Sequence, residues 1–245
     1  MSAPAPLARS VMAQARVEAR LTLRRGENLL AIVGLPVAAL GLFGTLGLVG
    51  GHDLGSLVPG VLALALVASG LVNLGIATGF ERGYGVLKRL GGSPLGRDGL
   101  IAAKVTVVGA IAFAQVGALL ALAVAIGWRP GPSASIAGLI LAVIVGSATF
   151  ASLGLLIAGS LRAEATLVVA NVVFLVALLL GGVLLPIDDL PGPLQAVASA
   201  SPVGALAEAF RSALTDGGGY LEHLAVVAVW GLAATALTVR TFRWD

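Results

Sequence analysis

Cysteine is absent from this chain of 245 residues, and only 11% of its residues carry charge. Without cysteine there is no disulfide framework, no thiolate nucleophile and no Cys-based metal site. No Gly-Lys pair occurs, so the G-x-x-x-x-G-K-[ST] phosphate loop is missing and the chain holds no nucleotide site of that kind. There is no H-E-x-x-H, no serine stands in a nucleophile setting, and His52 and His223 fall at the ends of apolar runs, where polar anchoring accounts for them. An intramembrane enzyme is therefore disfavoured.

What is present is apolar. Hydrophobic residues make up 58% of the chain and the mean hydropathy is +1.02, far from the balance of a soluble domain of this length. The net charge of +3 and pI near 10 do not point to nucleic acid, because the basic residues sit beside the apolar runs, as membrane topology requires. The expected fold is all-α: a polytopic membrane protein of six transmembrane helices. The spans are placed at 28–51, 57–80, 105–128, 134–161, 165–187 and 221–240. The last is the shortest uncharged run and spans if Tyr220 and His223 sit in one interface while Arg240 snorkels toward the other, beside Trp244.

Residues 1–27 lack the short apolar core and small-residue cleavage site of a signal peptide. At about 100° per residue, Arg9, Arg16, Arg20 and Arg24 share one side of a helix, with Val11, Ala15 and Leu21 roughly opposite. This pattern predicts an interfacial helix on an anionic leaflet; a disordered basic tail is the alternative. With the N-terminus placed inside, every basic residue except Arg129 and Arg211 falls on the inner side, and Asp53, Asp188, Asp189, Glu208, Asp216 and Glu222 fall outside. The positive-inside rule thus gives both termini and the charged stretch 81–98 a cytoplasmic location.

Between spans five and six, residues 188–219 are moderately polar and carry Pro191, Pro193 and Pro202, ending at Gly217-Gly218-Gly219. Two helices are expected there, 193–200 and 203–214, both too short to span. They read as re-entrant or extracellular helices tucked into the outer leaflet, a gate or outer cap.

The order of a basic amphipathic N-terminal helix, six spans, a charged loop after span two and a proline-broken segment after span five resembles the membrane (permease) subunit of an ABC-2 type exporter. It is most similar to the bacterial drug and antibiotic permeases of the daunorubicin-resistance kind. Two stretches carry the resemblance: Glu81 to Leu90 with Ser93-Pro94-Leu95, and Gly181-Gly182 through Pro186, Leu190-Pro191, Ser201-Pro202 and Glu208 to Arg211. The resemblance implies that Glu81, Arg82, Gly83, Tyr84, Leu87, Lys88 and Arg89 form a cytoplasmic coupling helix that docks in a cleft of an ATPase subunit. It implies an extracellular gate at Pro186, Pro191, Pro202, Glu208 and Arg211. It further implies an ABC ATPase partner that binds ATP and Mg, a second membrane subunit, identical or a sister chain, and a place in the bacterial cytoplasmic membrane; this chain is expected to hold no cofactor or metal itself. The glycines at 83, 85, 91 and 92 depart from a strong helix former in the coupling stretch. From the residues alone, that stretch reads equally well as an ordinary positive-inside loop.

Polar residues inside the spans are few. Asn73, Gln115, Ser147 and Asn171 are candidates for a substrate path, while hydrogen bonding between helices explains them as well, together with Thr149 and Ser152. A stand-alone secondary transporter and a non-transporting membrane scaffold are the rival readings; proton- or sodium-coupled carriers place ionisable groups at mid-membrane, and none of the six spans has one away from its ends.

Overall fold

The computed structural model describes residues 6–24, 33–46, 54–91, 95–183, 187–215 and 217–242. Ten helices are numbered here in chain order: α1 Leu7–Arg24, α2 Leu35–Leu46, α3 Leu54–Gly83, α4 Val86–Gly91, α5 Gly96–Ala125, α6 Ile136–Ser160, α7 Ala163–Leu180, α8 Gly192–Ala200, α9 Pro202–Thr215 and α10 Tyr220–Thr241. No strand occurs among the described residues. Among the described residues, five helices, α3, α5, α6, α7 and α10, are long and apolar enough to cross a membrane. Of the first expected span, 28–51, the structure describes 33–46, including α2, and its two ends lie outside the described residues. Ser93, Pro94 and Pro186 lie outside them too.

Several helices differ in extent from the apolar runs. The second expected span, 57–80, lies within the longer α3. Helix α5 starts at Gly96, so that Asp98 and Lys104, expected beside the loop, stand within it. The fifth expected span, 165–187, exceeds the helix that forms, because α7 ends at Leu180 where Gly182 takes φ +72°, a conformation open to glycine.

Helix α3 is the centre of the bundle. The most apolar window of α3 is 89% buried and that of α7 only 22%, so α3 is enclosed while α7 lies at the edge. Helices α5, α6, α7 and α9 surround it, and α10 packs on α6 and α9. Residues Val67–Asn73 form a π-helical segment in the middle of α3, and this wide turn lies on α6. The backbones touch there: a Cβ on Gly154 would stand 2.6 Å from the carbonyl oxygen of Gly70 and 2.9 Å from that of Leu71. Small residues at such crossings let helices approach where lipid supplies no hydrophobic drive between them. The α6–α10 crossing is held by Thr149, whose Oγ1 donates to the Val227 carbonyl at 3.0 Å.

Of the segment between α7 and α10, α8 is largely exposed, with Ala198 buried, whereas α9 is packed inside. Helix α9 buries Val203, Leu206, Ala209, Phe210 and Ala213 among α3, α6 and α10. Its start is fixed by Ser201, whose Oγ accepts from the Gly204 amide at 3.1 Å, with Pro202 following the cap. Its far end is tied to the α5–α6 loop, since the Gly131 and Ser135 amides donate to the Leu214 and Ala213 carbonyls.

Candidate functional site

The charged residues gather at the two ends of the bundle. At the end bearing α1 and α4, α3 closes in a Tyr84-Gly85 turn and α4 follows. Leu87 of α4, only 1% exposed, packs with Leu95 and Leu100 against Val11 of α1 and Phe242 beyond α10. The neighbouring Lys88 and Arg89 are exposed, and Tyr84 is 74% exposed. Three residues of the expected coupling set therefore face outward together.

The other four do different things. Arg82 donates from its guanidinium to the carbonyl oxygens of Gly159, at 2.8 Å, and Leu161, satisfying acceptors at the C-terminus of α6. Its charge also opposes the negative end of that helix dipole. Glu81 forms an ion pair with Lys104 of α5 at 2.7 Å, and Lys104 pairs in turn with Glu18 of α1 at 3.1 Å. Lys104 is buried, with 3% of its side chain exposed, so this cation is shared by three separate helices away from water. Gly83 is exposed, and an added Cβ would meet only Ala163 Cβ at 3.8 Å.

Sequence reasoning missed Lys104 and Glu18. The available signal was Glu18 itself, which falls on the same stripe of α1 as Val11, Ala15 and Thr22. A carboxylate on a packing stripe needs a buried partner.

The four candidate path residues stand in different settings. Asn73 lines a cavity of about 40 Å³ with Glu18, Thr22, Lys104 and Val107. Gln115 is buried in α5, and Ser147 is buried in α6, where its Oγ donates to the Ile144 carbonyl at 3.1 Å. Asn171 lies on the exposed side of α7, with its Nδ2 donating to the Leu167 carbonyl at 2.8 Å.

At the opposite end, Glu208 and Arg211 lie one turn apart on α9. Arg211 contacts Glu208 at 2.5 Å and Asp188, in the single turn Ile187–Asp189, at 3.1 Å. Burial alone would lower the guanidinium pKa, but the hydrogen bonds and charges of Glu208 and Asp188 outweigh it and raise the pKa above its ordinary value. A group whose folded pKa is raised stabilises the fold below its unfolded pKa and ceases to do so only as pH rises through the folded one, here in strong alkali. These three residues with Ser56 and Thr215 line an open cavity of about 460 Å³. Pro191 and Pro202 precede or begin α8 and α9 and are not part of the charged cluster.

No curated protein and no solved structure matches the chain. The family model for the ABC-2 type transporter matches residues 10–215, a region that runs from α1 to the end of α9 and includes both charged ends. The chain therefore belongs to the ABC-2 type transporter family, as a multi-pass membrane permease subunit.

Proposed function

We propose that this permease is the membrane half of an ATP-driven exporter that moves a hydrophobic or amphipathic compound, a drug, antibiotic or lipid-like molecule, out across a bacterial cytoplasmic membrane. A separate ATPase, binding ATP and Mg, docks on α4. The observation that carries this reading is the outward trio of Tyr84, Lys88 and Arg89 around a helix held by the buried Leu87. A short helix with two exposed cations, preceded by an exposed aromatic in the turn and held by the buried Leu87, is suited to a cleft in a soluble partner. Because α4 follows directly on α3, movement of α4 acts on the most enclosed helix of the bundle, biasing one packing of the spans against another.

The distribution of basic residues supports a cytoplasmic location for the α1 and α4 end. Arg211, Glu208 and Asp188 then face outward as a polar clasp at the exit. The exposed side of α7 supports a second membrane subunit: Leu167, Val168, Asn171, Val172, Leu175 and Leu179 lie on one stripe, and an amide at mid-span is better met by another protein surface than by acyl chains.

Co-purification tests the docking. The wild-type chain is expected to retain an ATPase subunit, and Tyr84→Ala/Lys88→Ala/Arg89→Ala is expected to lose it while remaining folded. Retention of the ATPase by that variant overturns the assignment of α4. Since the chain has no cysteine, Lys88→Cys offers a single labelling site; modification by an impermeant thiol reagent from outside intact cells overturns the orientation.

A further inference from the structure

Helix α1 has three sides. On one, Val11, Ala15 and Ala19 pack on Ala103, Val107 and Ile111 of α5. Away from the bundle, Arg9, Arg16, Arg20 and Arg24 are all exposed and form a ridge, and among the described residues none of them has an ion-pair partner. Like charges spaced four residues apart repel unless counter-charge is supplied from elsewhere. On the flank between ridge and bundle, at about 100° per residue, lie Leu7, Val17 and Leu21, which are 59%, 48% and 48% exposed. A cationic ridge bordered by an apolar edge, and set against a span, matches the boundary of an anionic phospholipid leaflet: headgroups meet the arginines and acyl chains meet the apolar edge.

The same helix is wired inward. Glu18 is the one acidic residue of α1, and its carboxylate holds Lys104, which holds Glu81 at the foot of the Tyr84-Gly85 turn. We propose that α1 is a sensor of anionic lipid, and that engagement of its arginine ridge by lipid headgroups is passed through Glu18, Lys104 and Glu81 to set the position of α4. Lys104 is a positioning residue in this scheme. Anionic lipid favours the arrangement in which α1 is docked, and the shared cation makes that arrangement also the one in which Glu81 is held. The regulatory meaning of this link rests on α4 being the ATPase contact; the link itself does not.

Amide hydrogen exchange of the chain in nanodiscs of phosphatidylcholine, with or without phosphatidylglycerol, tests it. In the wild type, phosphatidylglycerol is expected to slow exchange over 7–24 and also over 84–91, and each arginine neutralised weakens the lipid association about fivefold. Arg16→Gln/Arg20→Gln/Arg24→Gln is expected to lose both responses. Glu18→Gln is expected to keep the first and lose the second. Equal exchange in the two lipids, or loss of the ATPase by the arginine variant with its lipid response intact, overturns the lipid assignment in favour of a protein partner. A response over 84–91 that survives Glu18→Gln overturns the wiring. If both responses follow the expected pattern and no ATPase associates with the chain, the docking role of α4 fails and the lipid link stands.

Discussion

Each end of the bundle is organised around one cation between two carboxylates. At the α1 and α4 end Lys104 stands between Glu18 and Glu81; at the other end Arg211 stands between Glu208 and Asp188. The first cluster joins three helices that are far apart in the chain, and 3% of the Lys104 side chain meets solvent. In the second, the shorter contact is made one turn away on the same helix, and the Asp188 side chain is 66% exposed. The same charge pattern therefore does different work. A non-local triad around a buried cation fixes how helices sit against one another, and removing one member leaves largely shielded charges without their partner. A wetter and mostly local cluster contributes little stability and can be opened at small cost.

The contrast can be tested from its strongest consequence downward. Lys104→Met strands Glu18 and Glu81 and is expected to destabilise the protein by about 3–5 kcal/mol, read as a large fall in thermal midpoint or loss of monodisperse protein in detergent. If Arg211→Met does equal harm, the distinction between the ends is lost. Arg82→Gln removes two charged hydrogen bonds from the end of α6 and is expected to cost about 2 kcal/mol in the same assay. Lys88→Ala, one helix along, is expected to stay within about 0.5 kcal/mol of wild type, which separates the structural arginine from the exposed lysine. Arg211→Met is expected to cost about 1 kcal/mol or less. Asp188→Asn is expected to cost only a few tenths of a kcal/mol, vanishing at about 1 M salt; persistence of the effect at high salt would place that pair in a drier setting than its exposure shows.

Much of this architecture is legible in the residues. Long uncharged runs mark α3, α5, α6, α7 and α10, because a helix that crosses lipid must be apolar over its length. The arginine spacing of α1 and the prolines that bracket α8 and α9 mark those helices also. What the sequence conceals is pairing. Lys104 looks like any inner-side lysine, since nothing local says that Glu18 and Glu81 will converge on it. Arg82 and Lys88 are alike as letters, and only the fold assigns one to the carbonyls of α6 and leaves the other exposed. Leu21, expected with Val11 and Ala15 roughly opposite the arginines, is exposed on the flank of α1, while Ala15 and Ala19 are the residues that pack on α5. The early end of α7 was likewise hidden, since Gly181-Gly182 is compatible with a packed span until its backbone is seen.

The wide turn at Val67–Asn73 divides α3 into two halves whose rotational phase is set by its length. Deleting Ala68 would let the ladder revert to regular spacing and leave Leu54–Leu66 close to its present phase relative to Leu74–Gly83, because the wider turn takes one more residue to rotate about as far as regular helix does. The chain therefore carries, at the midpoint of its central rod, a place where one residue can be lost while the side chains on either side keep facing the interior, without touching either charged end.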